Sequence, residues 1–222
     1  MHQTHPIAWK NGRVPVSLRF DDPFYSLENG LAEAHHVFLA GNRLPARFCP
    51  GFHIAELGFG TGLNLAAAWA VWCVAGVPGP LCFTSFEAFP LSGADARRAL
   101  SMFPKAAVFA EPIAKALDGT GRIETETLNF TLIRGDARHT VPQWHGHADA
   151  WFLDGFAPTR NPALWDPALL RAVAAHTAPG GGFATYTAAA GAVRRALAQA
   201  GFMVEKQRGY GRKRHMMVGR LP

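Results

Sequence analysis

Short apolar runs alternate with longer amphipathic or Ala-rich segments from about residue 53 to the end of the chain. The apolar runs predict buried strands at 53–57, 81–86, 123–133, 150–153 and 182–186. The longer segments predict helices at 63–75, 92–102, 108–117, 167–176 and 189–200. Strands that alternate with helices favour an α/β fold with a mostly parallel sheet, helices on both faces and right-handed crossovers. Two last apolar segments, 202–206 and 215–218, predict a terminal hairpin.

The first 50 residues have a different pattern. Asn11 and Gly12, between two possible short strands, are typical of a tight hairpin turn. Residues 28–40 predict a helix that ends with Gly41 at the C′ position. Because a chain of 222 residues supports one good core, we expect residues 1–50 to form an N-terminal elaboration that packs on a single domain, residues 51–222.

Composition and the cysteines narrow the class of protein. The N-terminus has no apolar stretch typical of a secretory signal, and the longest apolar run, 63–77, is too short to span a bilayer. We therefore expect a soluble cytoplasmic protein with no membrane partner. We also expect a monomer, because the sequence has no long amphipathic stretch that a second chain would have to cover. Cys49, Cys73 and Cys82 lack metal-ligand spacing, which argues against a structural metal, and the last two lie in apolar stretches typical of buried thiols.

Most of the formal net charge of +6 lies near the C-terminus. Residues 201–222 hold six Lys and Arg side chains against a single acid, Glu205. Arg212, Lys213 and Arg214 form the densest run. A local cationic patch of this kind indicates a polyanionic partner, with nucleic acid as the first candidate; a merely solvated basic tail is the alternative interpretation.

Glycines and acids fall where predicted strands meet loops. Gly58, Gly60 and Gly62 lie between a strand and a helix, and glycines in such a loop let the backbone approach a ligand closely. The acids near the strand ends are Glu56, Glu87, Asp136 and Asp154. Because ligands bind beyond the carboxyl ends of parallel strands, we expect these residues to meet in one site.

The chemistry of these residues predicts an adenosine-containing cofactor. A carboxylate at Glu87 suits the two hydroxyls of a ribose, and Asp136 is placed to contact the adenine end. NAD and S-adenosylmethionine both fit that description. Leu63 stands where a dinucleotide fingerprint has its third glycine, and Glu56 would repel a pyrophosphate but suits a sulfonium or ammonium group. The residues therefore favour S-adenosylmethionine and methyl transfer.

Several motifs occur in order between residues 16 and 219. They are 20–26 (FDDPFYS), 29–31 (NGL), 36–39 (HVFL), 58–64 (GFGTGLN), 85–87 (SFE), 149–158 (DAWFLDGFAP), 161–162 (NP) with Trp165, and 209–214 (GYGRKR). In these motifs the chain resembles the methyltransferase part of the bacterial tRNA 5-methylaminomethyl-2-thiouridine biosynthesis proteins, MnmC, and their stand-alone relatives, MnmD. The number of motifs in register makes the resemblance specific.

The resemblance implies a class I, Rossmann-like, S-adenosylmethionine-dependent methyltransferase with a seven-stranded sheet whose last strand is antiparallel. It implies conversion of 5-aminomethyl-(2-thio)uridine to the methylaminomethyl form at the wobble position of tRNA. It also adds Asn64, in the glycine motif, to the cofactor-binding residues. MnmC proteins usually carry a C-terminal FAD-dependent oxidase; this sequence stops at Pro222, so we expect no oxidase domain and no FAD. His215 stands where the family is expected to have an acid, which leaves the contacts of this turn open.

The same resemblance and the residue types suggest roles in catalysis. Asp154, at the end of a strand, is placed to hold an amine N–H and orient its lone pair, unless it only caps the loop. Phe156 and Tyr25 are candidates for stacking on the target base, with Phe24 and Trp165 behind them.

The candidates for binding tRNA lie at both ends of the chain. Asp21 and Asp22 either line the acceptor pocket or cap the turn that follows them. Arg212, Lys213 and Arg214 are candidates for contacts to phosphates of the anticodon loop.

Three other functions remain open at this point. One is methylation of a small-molecule or protein amine, against which the basic C-terminal turn argues. The second is nicotinamide-dependent oxidoreduction, disfavoured by Leu63 and Glu56. The third is a non-catalytic RNA-binding module with a relic cofactor loop, against which the intact acids at the strand ends argue.

Overall fold

A computed structural model of the chain describes residues 6–26, 29–187, 191–211 and 213–222. The described part of the chain begins with a small antiparallel sheet of three strands, β1 (Ile7–Lys10), β2 (Val14–Ser17) and β3 (Asp22–Pro23). Asn11 and Gly12 have positive φ angles of 52° and 67° in the turn between β1 and β2. The hairpin expected from the Asn-Gly pair is therefore confirmed.

The N-terminal helix differs from its prediction in two ways. An α-helix, α1, covers only Gly30–Ala34, capped by the Asn29 side chain, which accepts a hydrogen bond from the backbone N–H of Ala32. The chain then continues as a π-helix, His35–Ala40. Gly41 is the C-cap of this π-helix, with φ −58°, rather than the C′ residue that the sequence predicted. Glu28, the expected first residue of the helix, lies outside the described residues.

Strands and helices then alternate along the rest of the chain. The strands are β4 (His53–Leu57), β5 (Leu81–Glu87), β6 (Arg122–Glu124), β7 (Leu128–Arg134), β8 (Ala148–Leu153), β9 (Thr177–Thr185), β10 (Met203–Arg208) and β11 (His215–Arg220). The helices are α2 (Leu63–Ala75), α3 (Gly93–Ser101), α4 (Pro104–Ala107), α5 (Ala110–Asp118), α6 (Ala137–Thr140), α7 (Pro167–Ala175) and α8 (Gly191–Gln199), with a 3-10 helix at Pro162–Trp165.

The second sheet has the strand order β10-β11-β9-β8-β4-β5-β7-β6. Strands β9, β8, β4, β5 and β7 pair in parallel, and the last strand, β11, is antiparallel to both of its neighbours. The mostly parallel sheet and the terminal hairpin are confirmed. The sheet has one strand more than the expected seven, because the segment 123–133 forms a hairpin, β6–β7, instead of a single strand.

Buried side chains cover both faces of this sheet. Along β8, Trp151 and Phe152 are both fully buried and point to opposite faces, since successive side chains of a strand alternate. Phe152 belongs to the cluster that includes residues of α2, α3, α5 and the π-helix, and Trp151 to the cluster that includes residues of α6, α7 and α8. The helices therefore lie on both faces of the sheet, as the sequence predicted.

Two smaller expectations concern the cysteines and the membrane. Cys73 is exposed and Cys82 only partly buried, so the expectation of a buried thiol is wrong for Cys73. Cys73 lies near the C-terminal end of α2, where the helix reaches the surface. Within the described part of the chain, no helix has the length and apolar character needed to cross a membrane.

Candidate active site

The carboxyl ends of β8, β4 and β5 bring the predicted site residues to one edge of the sheet. The backbone N–H of Gly58, after β4, donates to the Phe86 carbonyl of β5 (2.9 Å). The N–H of Asp154, after β8, donates to the Leu57 carbonyl of β4 (3.1 Å). These loops are thus fixed to neighbouring strands, and the convergence expected at the strand ends is observed.

A cavity of about 930 Å³ opens at this edge. That volume is near the upper end of the range for ligand pockets, about 300–1,000 Å³, and leaves room for a nucleoside cofactor beside a second nucleoside. The predicted site residues on its wall are Asp22, Tyr25, Gly58, Gly60, Asn64, Glu87, Asp136, Asp154, Phe156 and Lys213. The predicted site residues that do not line it are Asp21, Glu56, Gly62 and Arg214. Arg212 lies outside the described residues.

The glycine loop joins β4 to α2. Gly58 has φ +84°, and a Cβ added there would collide with the backbone carbonyl of Asp154. Glycine is therefore required at this position both by the turn and by the approach of the neighbouring loop. Gly62, the N-cap residue of α2, packs instead against Phe59 and Ile113, so its role is in the packing of the helix start rather than on the cavity wall.

Glu87 ends β5 and holds the glycine loop in place. One carboxylate oxygen accepts a hydrogen bond from the Gly60 N–H (3.2 Å), and the other accepts one from the Phe89 N–H (2.8 Å). Burial raises the pKa of Glu87, and the backbone hydrogen bonds oppose that effect. The carboxylate retains lone pairs that can accept from a ribose diol, which is the role that the sequence predicted for it.

A buried hydrogen-bond chain connects β4, β5 and α2 to Asp154. Glu56 is fully buried and accepts hydrogen bonds from Ser85 Oγ (2.7 Å) and Asn64 Nδ2 (2.9 Å). The same Asn64 nitrogen donates to Asp154 Oδ2 (2.6 Å). Glu56 therefore lies behind the cavity wall, not on it, and it orients Asn64, which in turn orients Asp154. Burial raises the pKa of Glu56 well above its usual range.

Asp154 combines the position and the proton affinity of a general base. Burial raises its pKa to about 7, against the lowering effect of the Asn64 hydrogen bond. The Glu33 carboxylate also raises this pKa, and the Lys213 ammonium lowers it. A carboxyl group with a pKa near neutrality exchanges a proton readily at physiological pH, and such groups are common at catalytic sites.

Asp136 lies on the cavity wall but is already engaged. Its carboxylate caps α6 by accepting from the Arg138 N–H (2.9 Å) and forms an ion pair with the Arg138 guanidinium. The Arg138 hydrogen bonds lower the pKa of Asp136, so this group is a carboxylate at neutral pH. A contact to the adenine end of a cofactor stays a prediction.

Aromatic side chains line part of the cavity wall, and one of them, Phe24, lies next to Gly60 of the glycine loop. The Phe156 ring lies 4.9 Å from the Phe20 ring and 5.1 Å from the Phe24 ring, measured between centroids. Tyr25 also faces the cavity, but its hydroxyl donates to the Arg13 carbonyl (2.8 Å), and burial raises its pKa to about 12. Trp165 is buried behind this wall, where its indole N–H donates to the Phe156 carbonyl (2.9 Å).

The two N-terminal acids have different positions. Asp22 lies on the cavity wall and accepts a hydrogen bond from the Ala157 N–H (3.1 Å), which joins β3 to the loop after β8. Asp21 does not line the cavity; its side chain is exposed and forms an ion pair with Arg160 (2.8 Å). Asp22 therefore has the position of a pocket residue, whereas Asp21 pairs with Arg160 instead of lining the cavity.

The sequence did not single out Glu33 or Tyr186, which face the same cavity. Lys213 Nζ lies 2.8 Å from a Glu33 oxygen and 3.7 Å from the centroid of the Tyr186 ring. The Tyr186 hydroxyl donates in turn to the Gly155 carbonyl, next to Asp154. Nothing local in the sequence indicated this arrangement, since Glu33 and Lys213 are 180 positions apart.

Among the residues with described coordinates, no group of three or more His, Cys, Asp and Glu side chains could hold a metal ion.

The sequence of this chain is similar to those of known methyltransferases and tRNA-modifying proteins. A family model described as S-adenosyl-L-methionine-dependent methyltransferase matches residues 102–222, which is more than half of the chain. The tRNA 5-methylaminomethyl-2-thiouridine biosynthesis bifunctional protein MnmC of Pseudomonas paraeruginosa is 43% identical over 96% of this chain, and that of Chromobacterium violaceum is 41% identical over 98%. In each case the matched region is 34% of the relative, so the chain spans about a third of the length of these curated relatives.

Solved structures give the same picture of the fold. A crystal structure of MnmC2 from Aquifex aeolicus superposes with a TM-score of 0.76 at 25% identity, over 98% of this chain and 70% of that chain. A spermidine synthase superposes with a TM-score of 0.56 at 10% identity, over 98% of this chain and 73% of that chain. The second likeness shows the fold alone.

Proposed function

Because this chain belongs to the S-adenosyl-L-methionine-dependent methyltransferase family, we propose that it methylates the exocyclic amine of 5-aminomethyl-(2-thio)uridine at the wobble position of tRNA. The product is the 5-methylaminomethyl form of the same nucleoside. The curated MnmC relatives support the choice of substrate, since the chain matches them over nearly its whole length. The same proposal gives the protein a cytoplasmic location, where tRNA is found.

The residues around the glycine loop fit S-adenosylmethionine. Gly58 and Gly60 line the cavity, and the Glu87 carboxylate beside them suits a ribose diol. The acids nearby, Asp136 and Asp154, favour a cationic cofactor over an anionic pyrophosphate. When bound, S-adenosylmethionine supplies a sulfonium methyl group to the amine nitrogen, and the electron pair of the broken C–S bond stays on sulfur.

Asp154 accepts the proton that the acceptor amine must lose. A primary alkylammonium has no free lone pair, so it must lose a proton before it can act as a nucleophile. With a pKa of about 7, the Asp154 carboxylate can accept that proton and hold the resulting N–H in a hydrogen bond that aims the lone pair. The Asn64 donor fixes the orientation of Asp154 during this exchange.

The aromatic wall receives the uracil ring. A wobble base lies in an anticodon loop and is already unpaired, so little energy is needed to expose it. The Phe156 ring is held by contacts with the Phe20 and Phe24 rings, and it lines the cavity as a surface for stacking; Tyr25 lines the same cavity. Asp22 is placed to accept a hydrogen bond from the edge of the base.

The basic turn between β10 and β11 lies beside the mouth of the cavity, where Tyr210 and Gly211 belong to its wall. Arg214 is exposed in this turn and is a contact for the phosphates of the anticodon loop. Replacing it with Met should flatten the salt dependence of tRNA binding by about 0.7 in the log–log slope, if one single-stranded phosphate contact is lost. An unchanged slope would remove Arg214 from the interface.

One observation supports the proposal more strongly than any other. Asp154 lies in a single cavity with the glycine loop, Glu87 and Phe156, and its carboxyl has the proton affinity of a base for an amine. A site for an adenosine cofactor and a site for a flat ring with an amine thus meet at one carboxylate.

Nucleoside mass spectrometry tests the proposal. Undermodified tRNA is incubated with the protein and S-adenosylmethionine labelled in the methyl group, and the digested nucleosides are analysed. We expect the label in 5-methylaminomethyl-(2-thio)uridine and a loss of at least 100-fold for the Asp154→Ala variant, in the range found for general acid–base groups. Label in a free amine or a protein instead of tRNA would favour the alternative substrates, and no label in any of them would contradict the proposal.

A further inference from the structure

The Lys213 side chain is 45% exposed, but its ammonium end contacts two groups on the cavity wall. Its ammonium nitrogen lies 2.8 Å from the Glu33 carboxylate, whose side chain is only 9% exposed. On another side the ammonium lies over the face of the Tyr186 ring, 3.7 Å from its centroid. An ion pair with a buried carboxylate together with a cation–π contact fixes a flexible lysine in one place. Arg214, the next residue along the turn, is exposed and does not line the cavity.

The ion pair changes the balance of charge around the acceptor amine. Without Lys213, Glu33 and Asp154 would present two carboxylates to one amine, and carboxylates stabilise the ammonium form, which cannot attack a methyl group. With Lys213 in place, the charge of Glu33 is neutralised. A nearby cation also disfavours a second cation, so the Lys213 ammonium favours the neutral amine.

We propose that Lys213 is a positioning residue of the active site, which neutralises Glu33 and keeps Asp154 in the carboxylate form that accepts the amine proton. This inference rests on the proposed amine methylation and adds the group that controls its proton step. The proton moves from the ammonium nitrogen to an Asp154 oxygen, and the N–H electron pair remains on nitrogen as the nucleophilic lone pair. This role is an alternative to the phosphate contact that the sequence predicted for Lys213, whereas Arg214 keeps that predicted role.

The effect of Lys213 on the pKa of Asp154 must be separated from the effects of the other charged groups. Burial is the main cause of the raised pKa of Asp154, and the charges of Glu33 and Lys213 act on it in opposite directions. The ionisable groups that surround Asp154 from the neighbouring elements are Asp22, Glu33, Glu56, Glu87, Tyr186 and Lys213. Removing Lys213 should raise the pKa of Asp154, and removing the charge of Glu33 should lower it.

A direct titration of Asp154 tests this inference. The protein is labelled with ¹³C at the aspartate carboxyl groups, and the Asp154 signal is assigned by its loss in Asp154→Asn. In the wild-type protein the midpoint is expected at about 7. In Lys213→Met it should rise by about one pH unit, a tenfold change in proton affinity, and in Lys213→Arg it should stay near the wild-type value. In Glu33→Gln the Asp154 midpoint should fall. A general disturbance of the fold would not shift this midpoint in opposite directions in Lys213→Met and Glu33→Gln.

Arg214→Met is the matched control, since it removes a cation from the same turn. We expect it to leave the Asp154 midpoint unchanged. In methylation assays, Lys213→Met should shift the acidic limb of the pH–rate profile upward and lower kcat, without changing the salt dependence of tRNA binding. An unmoved Asp154 midpoint in Lys213→Met, or a loss of tRNA affinity with a flatter salt dependence, would overturn the inference. The titration uses the free protein, so failure to methylate tRNA contradicts the proposed function, whereas an unmoved midpoint contradicts this inference.

Discussion

Replacing Asp154 with Asn is expected to stabilise the protein above pH 7 while abolishing methyl transfer. The folded protein holds this carboxyl at a pKa of about 7, against a usual value of 3.8. Between these two pH values the unfolded chain has lost the proton and the folded chain still binds it. The free energy of unfolding therefore falls as the pH rises through this window, and it becomes flat above the folded pKa. Asn carries no charge, so the Asp154→Asn variant does not undergo this fall in the free energy of unfolding.

The size of the effect follows from the separation of the two pKa values. A difference of about 3 pH units corresponds to about 4 kcal/mol, at about 1.4 kcal/mol for each unit. Asp154 faces an open cavity and is only partly buried, so solvent reduces the cost, and we expect about 2 kcal/mol at pH 8. The Asn side chain oxygen can still accept the hydrogen bond from Asn64, so little packing energy is lost in the exchange.

Urea unfolding of both proteins between pH 5 and pH 9 measures this effect. The stability advantage of Asp154→Asn should grow from pH 5 to about pH 7 and stay constant above it. Glu56 is also buried, but it is present in both proteins, and most of its contribution cancels in the difference. Asp166→Asn is a suitable control, because Asn caps a helix as well as Asp does, and its effect should stay below about 1 kcal/mol at every pH. A difference for Asp154→Asn that does not depend on pH, or a less stable variant at pH 8, would refute the reasoning.

Three further variants test other parts of the site. Asn64→Ala removes the donor shared by the buried Glu56 and the partly buried Asp154, and it should cost about 3 kcal/mol in urea unfolding. The control Asn129→Ala, on the exposed side of β7, should change stability by less than about 0.5 kcal/mol, and equal effects of the two variants would contradict the hydrogen-bond network. Glu87→Ala should weaken S-adenosylmethionine binding at least ~10-fold in calorimetry, and unchanged affinity would remove it from the cofactor site. Phe156→Ala should raise KM for tRNA by about 5- to 100-fold through lost stacking, and an unchanged KM would exclude that role.

The strands and helices that position the site could be predicted because their signals are local. The strand His53–Leu57 and the helix Leu63–Ala75 lie where the apolar pattern placed them, since each is bounded by glycines. The π-helix His35–Ala40 could not be predicted, because its apolar spacing is the same as that of an α-helix and its distinct hydrogen bonds arise from packing. The short strand Arg122–Glu124 is too brief for a pattern of its own.

The site was predictable at the strand ends and not beyond them. Glu87 is the last residue of its strand and Asp154 directly follows another, so the topology alone brought them together. The ion pair of Glu33 and Lys213 depends on how the first helix packs against the last hairpin, and no local motif encodes that contact. Glu56 shows a different limit: its position beside the glycines suggested a ligand contact, but the alternation of β4 turns its side chain into the interior.

The position of the acceptor amine is the most direct test of the whole account. It can be measured in a crystal structure of the protein with S-adenosylhomocysteine and an anticodon stem-loop that carries 5-aminomethyluridine. We expect the amine nitrogen at about 2.6–3.2 Å from an Asp154 oxygen, with the uracil ring against Phe156. An amine that lies beyond hydrogen-bonding distance of Asp154, or a nucleoside bound outside this cavity, would contradict the account.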